Sequence, residues 1–208
     1  MADAIVRSSP LDVQAEALLE GLIAEYDGRY GANSRPGGAR SEILRYPPEA
    51  FAPPLGEFLL LRRNGETIAG GAFMSHDDET VELKRIWTRD DLRRQGLARR
   101  IVQALEEAAA DLGYTRAYLT TGFRQPEATN LYLSLGYRPL FDVAVDPALY
   151  RSLPFEKHIG AKAGTAGQTP VYPPAASLEE ATARVAVVKA QQEARIAARL
   201  AAHRAVAA

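Results

Sequence analysis

Arg93-Arg94-Gln95-Gly96-Leu97-Ala98-Arg99-Arg100 is the stretch on which the reading of this chain turns. Before it stands Val81-Glu82-Leu83-Lys84-Arg85-Ile86-Trp87-Thr88, rich in branched and aromatic residues and therefore strand-like. After it, Ile101-Val102-Gln103-Ala104-Leu105-Glu106-Glu107-Ala108 begins an amphipathic helix. A small-residue turn between strand and helix gathers backbone N–H groups at the positive end of the helix dipole, an arrangement that holds phosphate. Two arginines before the glycine and two after Ala98 add positive charge around that point.

The spacing excludes two well-known phosphate loops. A Walker loop needs Gly, four residues, Gly-Lys and then Ser or Thr, and a dinucleotide fingerprint needs three glycines with an acidic residue about 20 positions on. What stands here is Arg-x-x-Gly-x-Ala. It resembles the acetyl-CoA loop of the GCN5-related N-acetyltransferases (the GNAT family), whose pattern is Gln/Arg-x-x-Gly-x-Gly/Ala. Alone, the hexapeptide also fits an Arg-rich surface turn; its surroundings carry the resemblance.

Glu82 to Thr88 resembles the family's fourth strand, which lends its backbone to the pantetheine arm, so Ile86, Trp87 and Thr88 are the implied contacts. The loop residues Arg93, Arg94, Gln95, Gly96, Leu97, Ala98 and Arg99 are the implied phosphate cradle. Glu82, eleven positions before Arg93, matches the place where several members keep a general-base glutamate. A carboxylate on a strand facing a partly dry cleft can have its pKa raised towards neutrality and take a proton from an ammonium. A solvated strand glutamate paired with Lys84 or Arg85 fits the same residues.

Further on, Gly113 suits a helix C-cap, Thr115 to Thr121 suits a strand, and Gln125-Pro126-Glu127-Ala128-Thr129-Asn130-Leu131-Tyr132 leads to Gly136-Tyr137. This resembles the family's closing element, in which Ala and Tyr stand one helical turn apart, so that Ala128 and Tyr132 share a face. The resemblance implies that Ala128 lets the cofactor approach and that Tyr132 is the general acid for the leaving thiolate. A tyrosine packed in the core with its hydroxyl at the surface is the other reading. Gln125 stands where relatives often have Asn, Asn130 appears five places later, and Thr88 stands where relatives often have Val. Either amide, Gln125 or Asn130, is therefore a candidate cofactor contact. The order of strand, loop, helix, strand, short helix and Gly-Tyr over residues 81 to 137 follows the family's.

The implied fold is α/β (α+β): a three-layer sandwich with a central mixed, mostly antiparallel sheet of six to seven strands and about four helices. Elsewhere the sequence supplies the remaining elements. Ala4 to Arg7 suits a first strand, and a helix opening at Ser9-Pro10 runs towards Tyr30 with Leu11, Ala15, Leu18, Leu19, Leu22, Ile23 and Tyr26 as its apolar stripe. Gly31 to Arg40 reads as a loop, and Ser41 to Ala52 as irregular or a brief helix. In relatives that region shapes the acceptor site, making Arg35, Arg40, Glu42, Arg45 and Tyr46 candidates, though an ordinary solvated loop fits as well. Asn64-Gly65 between two apolar runs is a hairpin, Asp77-Asp78 is a turn, and Leu153 to Ile159 is the last strand.

The domain occupies residues 1–160. Residues 161–176, rich in Gly, Ala, Thr and Pro, read as a linker, and residues 177–208 as an Ala/Arg-rich helix opened by the capping box Ser177-Leu178-Glu179-Glu180. Its thin stripe of Leu178, Ala181, Val185, Val188, Ile196 and Leu200 is interrupted by Gln192. A helix of about 40 Å is long for its own domain to cover, so residues 177–206 are expected to meet a partner, as in a homodimer, or to fray in solvent.

Composition sets limits. A formal charge of −1 gives no support to bulk nucleic-acid binding, and the absence of cysteine removes thiol nucleophiles, thiolate metal sites and disulfides. His76, His158 and His203 lack metal spacing and read as surface residues, so no metal is expected. With no signal-peptide core and no apolar run near 20 residues, a soluble cytoplasmic protein is expected. The activity implied by the resemblance is acetyl transfer from acetyl-CoA, as co-substrate, to a small-molecule or peptide amine. The alternative is a non-catalytic acyl-CoA-binding or regulatory module that uses its terminal helix for assembly.

Overall fold

The computed structural model describes residues 3–32 and 37–207, so Arg35 lies outside the described residues. Seven described strands form one sheet: β1 (Ala4–Arg7), β2 (Gly56–Arg63), β3 (Glu66–Ser75), β4 (Thr80–Thr88), β5 (Arg116–Gly122), β6 (Arg138–Pro139) and β7 (Ser152–His158), in the order β1-β2-β3-β4-β5-β7-β6. The β4–β5 pair is parallel and the others are antiparallel. Five α-helices among the described residues cover it: α1 (Glu16–Tyr30), α2 (Gly38–Ile43), α3 (Leu97–Asp111), α4 (Pro126–Ser134) and α5 (Leu178–Ala207). None of the described helices is long and apolar enough to cross a membrane.

The continuous apolar run Phe58-Leu59-Leu60-Leu61 explains the three layers. Side chains alternate across a strand, so Leu59 and Leu61 join one core and Phe58 and Leu60 the other. On the first face α3 buries Ile101, Val102, Leu105 and Ala109, and α4 adds Tyr132. On the second face α1 packs Leu18, Leu19, Leu22 and Ile23 against Phe58, Leu60, Ala72, Met74 and Trp87. Gly70 and Gly71 let both layers press on β3: a Cβ on Gly70 would lie 2.5 Å from Leu18 Cδ1, and one on Gly71 would lie 2.6 Å from Ile86 Cδ1. The expected hairpin turn is present, with Asn64 at φ 52° and Gly65 at φ 87°.

Some boundaries differ from expectation. The first α-helix starts at Glu16, after a 3-10 turn at Val13–Ala15, because Leu11 and Val13 lie in solvent and the buried stripe begins only at Ala15. The supposed loop ends early in α2, whose Ala39 and Ile43, four apart, are buried in the second core. The third helix starts at Leu97 rather than Ile101, placing Ala98, Arg99 and Arg100 in its first turn.

The largest correction concerns α5, which docks on its own chain. Gln192, Ile196 and Leu200 recur every fourth residue and are all buried, and the last two belong to the second core. Ion pairs flank them: Lys189 to Glu42 at 2.6 Å, Arg45 to Glu193 at 3.1 Å and Arg199 to Asp78 at 2.8 Å. The stretch before it also runs on the domain: Tyr172 N donates to Leu140 O at 2.8 Å and Thr169 Oγ1 donates to Glu156 Oε2.

Ile196→Ala and Leu200→Ala should each lower stability by about 2–5 kcal/mol in urea unfolding, as buried aliphatic truncations do. Val206→Ala, on the same helix but exposed, should change it by less than about 0.5 kcal/mol. Equal small effects at all three positions would mean that α5 does not dock.

Candidate active site

The loop forms as its residues dictate. Arg94 adopts φ 63° and Gly96 φ 77°, and Gly96 caps α3 in the left-handed region that glycine tolerates. Arg100 N donates to Gly96 O, the first hydrogen bond of the helix, so the amides of Leu97, Ala98 and Arg99 have no partner within it. Arg94, Gln95 and Gly96 are exposed beside those amides. Arg93 pairs with Glu25 at 3.2 Å and Asp90 at 2.6 Å; Arg99 donates to Ser134 Oγ at 2.8 Å. A cleft of about 490 Å³ adjoins the loop, lined by Gly21, Ala24, Glu25, Gly28 and Arg29 of α1 together with Trp87, Asp90 and Arg93, so its charges are mixed and the anion-holding groups are the amides of Leu97 to Arg99. These features fit an anionic ligand with a long arm.

Beside the loop the sheet opens. Pairing of β4 with β5 runs from Thr80–Arg116 to Leu83–Leu119 and then stops. The next residue but one, Arg85, has φ 59°, and the β3–β4 register shifts between Gly70 and Ala72, the signature of a β-bulge. Thr88 and Ile86 are partly buried beyond the bulge, and Trp87 is buried under α1. Arg85 turns away from Glu82: its guanidinium lies 4.0 Å from the Phe51 ring centroid and donates to Ile43 O. Burial pushes its pKa down to about 10.

The two faces meet at this parting. From the first face Tyr132 packs at a tilt against Phe155, ring centroids 5.8 Å apart, and Phe155's register partner Leu119 is the last residue of β5 paired with β4. Burial pushes the Tyr132 hydroxyl well above its ordinary pKa of 10, and Tyr26 adds to the shift. On the second face lies a cavity of about 360 Å³ bounded by Lys84, Tyr118, Thr120 and the inner side of α5.

Comparison with known proteins agrees with this geometry. The acetyltransferase (GNAT) family profile matches residues 19–137, more than half of the chain. This chain belongs to the GNAT family. Among curated proteins it is similar to an uncharacterised N-acetyltransferase of Escherichia coli, YjgM, at 26% identity over 92 residues. That match covers 43% of this chain and 55% of YjgM, so it spans about half of the relative's length. Among solved structures, a GNAT-family acetyltransferase from Staphylococcus aureus has a TM-score of 0.60 at 14% identity, covering 76% of this chain and 99% of that one. The PaiA N-acetyltransferase from Thermoplasma acidophilum, solved with coenzyme A, has a TM-score of 0.55 at 14% identity with the same coverage. At these identities the structures show a shared fold.

Glu82 departs from the expected electrostatics. It is 1% exposed, and its Oε1 accepts from Lys84 Nζ at 2.8 Å and from Gln192 Nε2 at 2.7 Å. Its Oε2 has no hydrogen-bond partner among the described residues, and His76 Nδ1 lies 4.0 Å from it. Burial alone would raise its pKa, but Lys84 and His76 overcome that and hold it below the ordinary carboxylate value. The expected rise towards neutrality is thus reversed, because a cation is buried with the acid.

Other candidates separate. Gln125 Oε1 accepts from Gly122 N at 3.0 Å and Thr121 Oγ1 at 3.2 Å, so that part of its amide secures the β5–α4 corner. Asn130 is exposed and, two residues before Tyr132, points to the far side of α4. Of the acceptor candidates, Glu42 borders the cavity and Tyr46 donates to Gln192 Oε1 at 3.3 Å. Arg45 pairs with Glu42 and Glu193, while Arg40 turns to Glu20 at 2.7 Å. His76, read from sequence as a surface residue, is half-buried and its ring lies 5.1 Å from that of Tyr118. Gln192 carried the missed signal: a polar residue interrupting an apolar stripe had a buried charge to meet.

Because the folded pKa of Glu82 is depressed, its stabilisation is present above the unfolded value near 4.5 and is lost as pH falls through the folded value. Glu82→Gln should cost about 3 kcal/mol in urea unfolding at pH 7, where it leaves Lys84 unpaired. The deficit should shrink towards zero below the folded pKa; a deficit unchanged at acid pH would show that the carboxylate's charge is not what stabilises.

Proposed function

We propose that this protein is an N-acetyltransferase that moves the acetyl group of acetyl-CoA to a primary amine by direct attack within a ternary complex. The observation that carries the reading is the parting of β4 and β5, which Tyr132 approaches from one face and the cavity beside Glu82 from the other. Residues 93–99 would hold the pyrophosphate on the free amides of α3, with Ile86, Trp87 and Thr88 alongside the pantetheine arm. Residues 1–160 form the acyltransferase unit in this reading, with 177–208 as its cover.

The amine forms the C–N bond at the thioester carbonyl and the C–S bond then breaks. Tyr132, kept protonated by its raised pKa, hydrogen-bonds the departing sulfur and supplies its proton. The ammonium proton passes through water towards Glu82, which is already ionised and therefore acts first as a fixed negative charge and only then as a base. No enzyme-bound acyl group is needed, in keeping with a chain that has no cysteine.

The burial of Glu82 beneath Gln192 favours a second reading, a non-catalytic acyl-CoA-binding module. Thiol release from acetyl-CoA with a panel of amines separates the two. Tyr132→Phe should lower kcat by about 10²- to 10⁴-fold while the Kd for CoA stays within about twofold. Tight CoA binding with no turnover on any amine would establish the module instead. Gly96→Val, which forces a branched side chain to φ near 77°, should weaken CoA binding by about tenfold in calorimetry and leave amine affinity alone.

A further inference from the structure

The cavity behind the parting has a floor from the sheet, including Tyr118, Thr120 and Ser152, and a roof from α5, including Val188, Gln192 and Arg195. Its cations are matched almost completely. Lys84 pairs with Glu82 at 2.8 Å, Lys189 with Glu42 at 2.6 Å, Arg116 with Glu156 at 3.5 Å and Arg184 with Glu180 at 2.6 Å. Arg195 is the exception: among the described residues it has no carboxylate within ion-pair distance. Its Nη1 lies 2.8 Å from both ring nitrogens of His76, and that ring stands against Tyr118.

A half-buried guanidinium without an anion is costly unless its ligand brings one, and its planar fork suits a carboxylate or a phosphate. We propose that Arg195 is a specificity determinant, and that the acceptor is a small amine carrying an acidic group, seated with its acid on Arg195 and its amine at the parting of β4 and β5. This rests on the acetyl-transfer reading above. About 360 Å³ admits a molecule of amino-acid size. His76 meets Nη1 alone, and Nε and Nη2 have no hydrogen-bond partner among the described residues. The terminal helix thereby sets substrate choice in a domain whose cofactor loop is silent on it.

The test uses amine pairs that differ only in the acid: α-amino acids against their decarboxylated amines, and aminoethyl phosphate against ethanolamine. Thiol release gives kcat and KM for the full-length protein, for Arg195→Gln and for Arg199→Gln, which lies one turn further along and pairs with Asp78 away from the cavity lining. The acidic member of at least one pair should be preferred by about 10- to 100-fold in kcat/KM. Arg195→Gln should erase the preference chiefly through KM, with CoA affinity retained, and Arg199→Gln should keep it. A preference confined to amino acids or to the phosphate identifies the acid. Neutral amines used equally well, a preference that survives Arg195→Gln, or no turnover of any pair by protein that binds CoA would each overturn the proposal. Failure to bind CoA would instead remove the acetyl-transfer reading beneath it.

Discussion

The site depends on one constraint in the sheet: β4 and β5 stay hydrogen-bonded for four residue pairs and then separate. A parallel pair that continued would seal the sheet between its two cores. Instead the bulge at Arg85 bends β4 and turns the arginine's side chain onto Phe51 in the second core. The end of β4 thus has one edge without a strand, next to a helix N-terminus with unpartnered amides. The loop cleft and the cavity under α5 both lie beside that opening.

Covering the second face creates the other half of the arrangement. Burying Glu82 by itself would be unfavourable, and Lys84 and Gln192 remove much of the penalty by occupying one oxygen. Tyr46 then satisfies the far side of Gln192, so the helix is fixed in register by a polar contact within an apolar seam. Ile196 and Leu200 supply the burial that holds α5 down. The same docking gives the face beside β5 a second wall, leaving a partly open cavity between them. A tail of Ala and Arg therefore takes part in the site's shape and charge.

Much of the fold was legible because it rests on local rules. Asn64-Gly65 between apolar runs and the 101-105-109 spacing of α3 each state their own conformation through turn chemistry or helical period. The Arg93–Arg99 loop was legible for the same reason, since a glycine between strand and helix is a local device. The places where expectation failed depend on distant neighbours. Leu11 looked like the start of a stripe but has nothing to pack against, and His76 looked solvated until α5 covered it.

By itself, then, the sequence determined the strands, the helix periods and the phosphate-type turn, all settled by contacts within a few residues. Only the tertiary structure decided the ionisation of Glu82, the isolation of Arg195 and the place of α5. The physical reason is that charge and burial are set by what lies across space. Glu82 meets Gln192 over 110 residues of chain, and Arg195 meets His76 over 119. No period or propensity records such encounters.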